Sequence, residues 1–354
     1  MGGVFPARAA GLIVVVMALL APAPAMAKTQ TATYPVSFSV MNVNRSSVPG
    51  VPCSADGAPY TVVGHLTGPK KALGKAKRNV TVYLHGLGLG EWLWDFTPVP
   101  AYNYVAKQAG QGHISVSVDR IGYGASGHPP GLASCIGSQA DVAHQIVQHL
   151  RAGSYTVTGT KPVPFKKVAL VGHSAAGAIA TVEAYSFGDV NALGIVGFAS
   201  NNQQFASDQF GFERTPCESG GEPAGPGLPS GYGLFGRTPA DFRAAMFHSA
   251  TEKVIAAALP LHYHDPCGDN LSLITTLSMQ GLGIKKIKAP VLVVCGSRDV
   301  LYSVYNCTDQ ASRYTKSRSH KVAIIKGAAH ALPIERQAKK FRSRLGGWLK
   351  HYGF

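Results

Sequence analysis

Six short runs rich in valine, isoleucine and leucine recur along this 354-residue chain, and they constrain its fold more than any other feature. Segments with a helical spacing of apolar residues lie between them. Near-continuous apolar strands that alternate with helices are typical of a parallel sheet covered on both faces, so the sequence predicts an α/β fold. The runs are VTVYLHG (80–86), ISVSVDR (114–120), VALVGHS (168–174), LGIVGFAS (193–200), VLVVCGS (291–297) and VAIIKGA (322–328).

Two earlier segments, VSFSVMNV (36–43) and YTVVGHLTG (60–68), alternate polar and apolar residues instead. A period of two is typical of a strand with one face in the core and the other in water. We therefore expect an antiparallel pair of strands ahead of the parallel sheet.

The fourth and fifth apolar runs are about 90 residues apart, whereas βαβ units usually join their strands by a dozen or a few dozen residues. The first part of this interval is rich in Gly and Pro and should be irregular, and residues 239–259 have a helical spacing. We predict a lid over the C-terminal edge of the sheet at residues 201–285. It would separate a first core part at 28–200 from a second at 286–354.

The first 27 residues have the pattern of a secretory signal peptide. One early cation, Arg8, precedes an apolar run at Leu12–Leu20, and the small-residue site Ala25-Met26-Ala27 follows. We predict cleavage after Ala27 and secretion of the protein. An uncleaved membrane anchor is the weaker alternative, because the apolar run is too short to cross roughly 30 Å of hydrocarbon.

Export would place the six cysteines in an oxidising compartment, where an even number favours disulfides over metal ligands. Six cysteines allow 15 pairings. We expect Cys217–Cys267 and Cys295–Cys307, with a free buried thiol at Cys295 as the alternative. No C-x-x-C motif or histidine-rich cluster marks a zinc site, so no structural metal is expected.

The formal net charge is +15, although charged residues make up only 14% of the chain and apolar residues 45%. This composition indicates a globular protein, and its positive field favours association with anionic surfaces. The basic run KKALGKAKR (70–78) has no aromatic residues for base stacking. We interpret it as a solvated loop and expect no nucleic-acid partner.

Catalytic groups of open parallel sheets collect at the carboxyl ends of the strands. The third apolar run leads into GHSAAG (172–177), which places Ser174 among small residues at a strand-to-helix turn. This segment resembles the nucleophile elbow of the α/β-hydrolase family, with Ala176 where the second glycine is usual. The resemblance covers the whole chain. It implies the α/β-hydrolase fold, a mostly parallel central sheet flanked by helices, with a lid inserted before the strand that carries the acid.

The family's chain order of nucleophile, acid and histidine is matched as well. Asp299 follows the fifth apolar run and His330 follows the sixth. The resemblance implies that Ser174 attacks a carbonyl carbon, His330 transfers the proton and Asp299 fixes the imidazole tautomer. Alternatives are a helix N-cap role for Ser174, a surface role for His330, and a turn role for Asp299. In the last case Asp265 or Asp269 in the lid would supply the acid.

The same resemblance places the two backbone donors of an oxyanion hole at Leu87 and Ala175. His85 and Gly86 match the pair that shapes the family's oxyanion loop, and we assign His85 no proton transfer. Further polar residues are interpreted as structural or as part of the lid: Asp119, Arg120, His173, His262 and His264.

The leading functional hypothesis is a secreted serine hydrolase that cleaves an ester or related acyl bond through an acyl-enzyme, without a cofactor. Perhydrolases, lactonases, peptidases and carbon–carbon bond hydrolases of the same fold are alternatives. A serine nucleophile argues against haloalkane dehalogenases and epoxide hydrolases, whose elbow carries aspartate. A hypothesis from another class is a non-catalytic binding or cell-surface protein on the same scaffold.

We expect the substrate to be a small molecule with an apolar acyl group. The expectation rests on apolar residues in the first loop and in the lid, and simple packing of the lid onto the core is the alternative interpretation. The residues are Trp92, Trp94, Phe96, Met246, Phe247, Val254, Ile255 and Leu259.

Overall fold

The computed structural model of the chain describes residues 1–5, 7, 29–49 and 53–354. Apart from residues 1–5 and 7, the predicted signal peptide and its cleavage site after Ala27 lie outside the described residues. No helix in the described segments is both long enough and apolar enough to cross a membrane.

Eleven strands lie in the described residues, and nine of them form one central sheet. They are β1 (Thr31–Met41), β2 (Pro59–Pro69), β3 (Asn79–Leu84), β4 (Ser115–Val118), β5 (Thr156–Val157), β6 (Lys167–His173), β7 (Ala192–Val196), β8 (Tyr232–Gly233), β9 (Asp265–Pro266), β10 (Val291–Gly296) and β11 (His320–Ile325). The order in the sheet is β11-β10-β7-β6-β3-β4-β2-β1-β5, and β8 pairs with β9 separately.

The six apolar runs supply the parallel part of the sheet, as predicted. Strands β3, β4, β6, β7, β10 and β11 pair in parallel. The two alternating segments form the antiparallel pair β1 and β2, which joins the sheet at β4. The central sheet of the predicted fold is therefore confirmed.

The central strands are buried on both faces, which explains why their sequences are apolar without alternation. All residues of β7 and β10 are buried, and in β6 only Lys167 at its start is partly accessible. Val168, Ile195 and Val293 have no exposed surface. Each such side chain stabilises the fold by about 1.5–3 kcal/mol relative to an exposed one.

Nine α-helices accompany the sheet in the described residues. They are α1 (Tyr104–Ala109), α2 (Ile136–Ala152), α3 (Ala175–Ser186), α4 (Gln204–Glu218), α5 (Pro239–Met246), α6 (Glu252–Ala258), α7 (Cys267–Gly283), α8 (Val304–Ser312) and α9 (Ala338–His351). Helix α3 contacts α2 and α7, and α1 contacts α9.

Residues 201–285, called the insertion below, connect β7 to β10 and contain α4 to α7 with the small β8–β9 pair. The Gly- and Pro-rich stretch 219–238 holds only the two-residue strand β8, in line with its composition. The segment with helical spacing forms two helices, α5 and α6. The side chains of Thr238 and Thr251 each accept an N-capping hydrogen bond, and one helix begins after each of them. Helix α7 packs against α2 and α3. The division into core and lid stays a prediction.

Three disulfides link the described cysteines: Cys53–Cys135, Cys217–Cys267 and Cys295–Cys307. The two expected pairings are present, and the free-thiol alternative for Cys295 is wrong. Cys217–Cys267 joins the end of α4 to the start of α7 within the insertion, whereas Cys295–Cys307 joins β10 to α8.

Candidate active site

Ser174 lies at the turn between β6 and α3, in a backbone conformation that few L-residues adopt. Its φ is +54° and its ψ is −130°, and its side chain makes no helix-capping hydrogen bond. Such a conformation costs of order 1–3 kcal/mol, so close packing must hold it. A Cβ atom on Gly172 would lie 1.9 Å from Ala176 O, and one on Gly86 would lie 2.5 Å from Ser174 Cβ. Ser174 therefore lies in a tight strand-to-helix turn at the position where the sequence predicts the elbow.

His330 and Asp299 meet at the carboxyl ends of β11 and β10. His330 Nδ1 lies 2.8 Å from Asp299 Oδ2. Asp299 Oδ1 accepts hydrogen bonds from the backbone N–H groups of Leu301 and Tyr302, which fix the carboxylate in place. His330 is fully buried, and its Nε2 has no hydrogen-bond partner. With Nδ1–H donated to the carboxylate, Nε2 is left with a free lone pair that can accept a proton.

Two further side chains donate hydrogen bonds to the backbone of Asp299 and His330. His173 Nε2 donates to the backbone oxygen of His330 over 2.9 Å, and Gln203 Nε2 donates to the backbone oxygen of Asp299 over 2.9 Å. Burial and the neighbouring His330 hold the pKa of His173 well below its usual value, so His173 stays neutral. It positions the His330 loop and is not suited to carry a charge.

The loop after β3 brings Gly86 and Leu87 beside the elbow. Gly86 packs against Ser174, and Leu87 is only 2% exposed. Gly88, the next residue, is bonded to the insertion: its backbone N–H donates to Asp265 Oδ1 over 2.6 Å. Ala175, the other predicted oxyanion donor, is the first residue of α3. Free N–H groups at a helix N-terminus favour negative charge.

Asp265 and Asp269, the substitute acids, bond to other groups. Burial raises the pKa of Asp265 to about 7, although hydrogen bonds from the Gly88 and Phe235 backbone oppose this shift. Asp269 Oδ2 accepts a hydrogen bond from Arg120 Nη1 over 2.6 Å in a fully buried ion pair. The carboxylate hydrogen-bonded to His330 is that of Asp299.

His85 and Arg120 shape the same region. The Arg120 backbone N–H donates to His85 Nε2 over 3.1 Å, and Arg120 Nε donates to the His85 backbone oxygen over 2.9 Å. His85 Nδ1 donates to Gly86 O over 2.9 Å. Burial, with the Arg120 charge, keeps the pKa of His85 well below its usual value. Both ring nitrogens are occupied within the fold, in agreement with a structural role.

The fold and the arrangement of these residues can be compared with known proteins. Residues 81–344 match the sequence model of the alpha/beta hydrolase family, a span that includes Leu87, Ser174, Asp299 and His330. The chain belongs to this family. Among curated proteins, none matches the sequence significantly.

Solved structures of several alpha/beta hydrolases share the fold at low sequence identity. A thermophilic esterase from Thermogutta terrifontis is 17% identical with a TM-score of 0.62, and the match covers 90% of this chain and 100% of that one. A monoacylglycerol lipase from Paleococcus ferrophilus is 17% identical (TM-score 0.58, coverage 79% and 97%). The enol-lactonase from Burkholderia xenovorans LB400 is 15% identical (TM-score 0.59, coverage 82% and 97%).

In this alpha/beta hydrolase the insertion is hydrogen-bonded to the loop that carries His330. The Ala331 backbone N–H donates to Met246 O over 2.9 Å. The buried carboxylate of Glu335 accepts hydrogen bonds from the backbone N–H groups of His248 and Ser249 over 2.7 and 2.9 Å. Sequence reasoning missed Glu335 because no motif surrounds it and its partners lie in the insertion.

The insertion also covers the loop that carries Leu87. The Tyr263 backbone N–H donates to Gly88 O, and the His262 ring stacks on Phe242 with centroids 3.9 Å apart. Ser174 is 6% exposed. The insertion and the loop after β3 are therefore joined by hydrogen bonds beside a nearly buried Ser174.

The aromatic residues of the first loop are core residues of the alpha/beta hydrolase. Trp94 and Phe96 are fully buried, and Trp92 is 8% exposed. Trp94 packs against Tyr83 and Tyr104 and donates its indole N–H to the Leu84 backbone oxygen. In the insertion Met246 and Val254 are also fully buried and belong to the same apolar core.

Two groups of described residues have side chains suited to hold a metal ion. Each combines one histidine with two carboxylates, and the candidate ligand atoms lie within 4.8 Å of one another. Neither contains Ser174, Asp299 or His330. The groups are His65, Glu91 and Asp95, and His144, Glu183 and Asp189.

Proposed function

We propose that this alpha/beta hydrolase is a secreted serine hydrolase that cleaves an ester or related acyl bond. The observation that carries the proposal is the buried hydrogen-bonded pair of His330 and Asp299. The Nε2 atom of His330 has no partner, and the pair lies at the same edge of the sheet as Ser174. A positioned serine and a histidine oriented by a carboxylate are the groups that acyl transfer requires.

The reaction proceeds in two halves. Ser174 Oγ attacks the carbonyl carbon of the substrate while its proton passes to His330 Nε2, and the oxyanion is held by the backbone N–H groups of Leu87 and Ala175. His330 then gives the proton to the leaving alcohol, and the acyl group stays on Ser174. His330 then takes a proton from a water molecule, whose oxygen attacks the acyl carbon. The acid product leaves as His330 returns that proton to Ser174 Oγ. The cycle needs no cofactor, and Asp299 stabilises the imidazolium in both halves.

The acyl substrate is proposed to be a small, mainly apolar molecule. The esterase, the monoacylglycerol lipase and the enol-lactonase that share the fold support an acyl compound as the substrate class. Met246 and Val254 of the insertion belong to the same apolar cluster as Leu87 and Ala175 beside Ser174, which supports an apolar acyl or alcohol group.

Secretion is proposed from the N-terminal signal pattern. The three disulfides support it, because disulfides persist in oxidising compartments and are rare in the cytosol. N-terminal sequencing of exported protein is expected to begin at Lys28. Export with an intact N-terminus would contradict the predicted cleavage.

The test of the proposal is covalent labelling with a fluorophosphonate probe. Wild-type protein is expected to be labelled, Ser174→Ala to lose the label, and Ser343→Ala, an exposed serine on α9, to keep it. Folded wild-type protein that takes no label would favour the non-catalytic scaffold instead.

A panel of p-nitrophenyl esters from acetate to palmitate identifies the substrate range, and parallel assays for peracid formation and lactone opening separate the esterase from its alternatives. Efficient peracid formation or lactone opening with poor ester cleavage would reassign the enzyme within the fold.

A further inference from the structure

The segments that enter four of the parallel strands are strongly basic. They are residues 70–78 before β3, 161–167 before β6, 285–288 before β10 and 316–321 before β11. Together they contain 12 lysines and two arginines, and no aspartate or glutamate. We call these four segments the basic edge.

The basic edge consists of two joined pairs of segments, one on each side of the start of β7. Strands β3 and β6 start in register, with Asn79 opposite Lys167, and the Lys166 backbone N–H donates to Arg78 O over 2.7 Å. On the other side of β7, the Arg318 backbone N–H donates to Lys288 O over 3.1 Å. The parallel strands all begin at this edge and end at the other, so the basic edge lies on the side of the sheet opposite Ser174.

The charges of the basic edge are accessible and uncompensated. Thirteen of the 14 side chains are exposed, and Lys167 is partly buried. None of the 14 forms an ion pair with a carboxylate within the described residues. The acid at the start of β7, Asp189, is already bonded to His144 and Gln148. A potential of one sign therefore extends over this side of the molecule.

We propose that the basic edge binds the surface of an anionic phospholipid bilayer and holds the molecule with Ser174 facing away from that surface. Lysine predominates, and a compact ammonium group suits diffuse attraction to many headgroups better than bidentate recognition of single phosphates. Phe165 is the one aromatic residue in the four segments, and it is 5% exposed. The edge therefore lacks the stacking platforms that nucleic-acid binding uses.

Co-sedimentation of the full chain with lipid vesicles tests this proposal. Binding to phosphatidylcholine vesicles containing about 30% phosphatidylglycerol is expected to be at least roughly tenfold tighter than to phosphatidylcholine alone. It should be lost near 0.5 M NaCl, where screening acts within a few ångströms. The triple variant Lys285→Glu, Lys286→Glu, Lys288→Glu is expected to weaken binding at least roughly tenfold.

The matched control is Lys339→Glu, Lys340→Glu, Arg344→Glu on α9, which makes the same change in net charge at exposed positions outside the basic edge. It should weaken binding much less. A glutamine version of the first triple variant, checked by circular dichroism, separates loss of binding from loss of folding. Equal effects of the two charge reversals, or equal binding to neutral and anionic vesicles, would overturn the proposal. So would retention on heparin or DNA without any vesicle binding.

The basic edge is independent of the proposed chemistry. The Lys285, Lys286 and Lys288 variant is expected to hydrolyse a soluble ester at the wild-type rate, and Ser174→Ala is expected to bind vesicles like wild type. A protein without hydrolase activity would therefore leave the membrane proposal testable, and failure to bind vesicles would leave the hydrolase proposal intact.

Discussion

The contact between Gly86 and Ser174 leaves no space for a side chain between the oxyanion loop and the elbow. Both residues are at the carboxyl ends of neighbouring strands, β3 and β6, which lie in register up to Leu84 opposite Gly172. A methyl group at position 86 would meet Ser174 Cβ at 2.5 Å and Oγ at 3.1 Å. The loop or the serine must then shift.

Gly86→Ala is expected to lower kcat/KM for a p-nitrophenyl ester by about 100-fold or more, because displacement of the reacting groups by about 1 Å has this effect. Thermal melting should show a smaller change, about 1–3 kcal/mol from overpacking. Gly347→Ala is the control, since a Cβ at this exposed helix position meets nothing within 4 Å. Wild-type activity of Gly86→Ala would show that the loop does not approach the nucleophile.

Asp299→Asn is expected to leave the fold intact and to reduce kcat by roughly four orders of magnitude, because an amide no longer enforces the Nδ1–H tautomer of His330. Asp309→Asn makes the same charge change on α8, away from His330, and should keep activity. Activity of Asp299→Asn within tenfold of wild type would transfer the role of the acid to another carboxylate. Steady-state rates on one ester decide between the two.

At the scale of elements, the insertion is fixed at two separate loops of the site. Asp265 and Tyr263 bond to Gly88 beside the oxyanion loop, and Met246 bonds to the segment after His330. Opening the insertion would break contacts to both loops. The insertion therefore holds two loops of the candidate site in place through hydrogen bonds to their backbone groups.

His262 makes the packing of the insertion dependent on pH. Burial, with a smaller contribution from His264, lowers its pKa to about 4, although the hydrogen bond to the Phe235 backbone opposes this. The folded-state pKa lies below the usual value of about 6.5. The contribution of uncharged His262 to the free energy of unfolding is therefore at its full value above pH 6.5. It is lost as the pH falls toward 4, by up to about 3 kcal/mol.

His262→Gln keeps a donor for the Phe235 oxygen but does not titrate. The difference in free energy of unfolding between wild type and this variant is expected to shrink by up to about 3 kcal/mol from pH 7 to pH 4. Urea unfolding at several pH values measures it. His264→Gln, at a partly exposed neighbouring position, should retain most of the wild-type pH dependence. Parallel curves for wild type and His262→Gln would contradict the assignment.

The sequence predicted those elements whose signal is local. Each parallel strand is a short apolar run. Ser174 ends one run, and Asp299 and His330 each come two residues after another, so their placement at one edge of the sheet could be anticipated. Contacts between distant segments could not. Glu335 lies 87 positions from His248, and Asp265 lies 177 positions from Gly88. No characteristic spacing or motif marks either pair in the sequence, because both contacts depend on how the insertion folds back onto the core.

At the scale of the whole molecule, the two edges of the sheet have different chemistry. The carboxyl ends of the strands hold the buried Asp299 and His330 pair, and the amino ends hold exposed lysines. Parallel strands create this separation, because every strand begins at one edge and ends at the other. Attachment through the basic edge would leave the carboxyl ends of the strands, and Ser174 with them, facing away from the bilayer.

The three disulfides permit a test of what stabilises the whole chain. All six cysteines are at most 3% exposed, so replacing any pair with alanine removes similar buried surface. The closed loops differ, with sequence separations of 82 for Cys53–Cys135, 50 for Cys217–Cys267 and 12 for Cys295–Cys307. If the bonds act by restricting the unfolded chain, their removal should cost about 4.5, 4 and 3 kcal/mol respectively.

Guanidinium unfolding of the three double alanine variants measures this order. Cys217–Cys267 links two helices of the insertion, and Cys295–Cys307 links α8 to the strand that precedes Asp299. Loss of either bond should therefore also lower the rate of ester hydrolysis if these elements shift. Cys53–Cys135 closes the largest loop and joins the segment ahead of β2 to the start of α2, so its loss should lower stability most and activity least. A larger loss of stability for the Cys295 and Cys307 pair would instead show that local packing of β10 on α8 outweighs chain entropy.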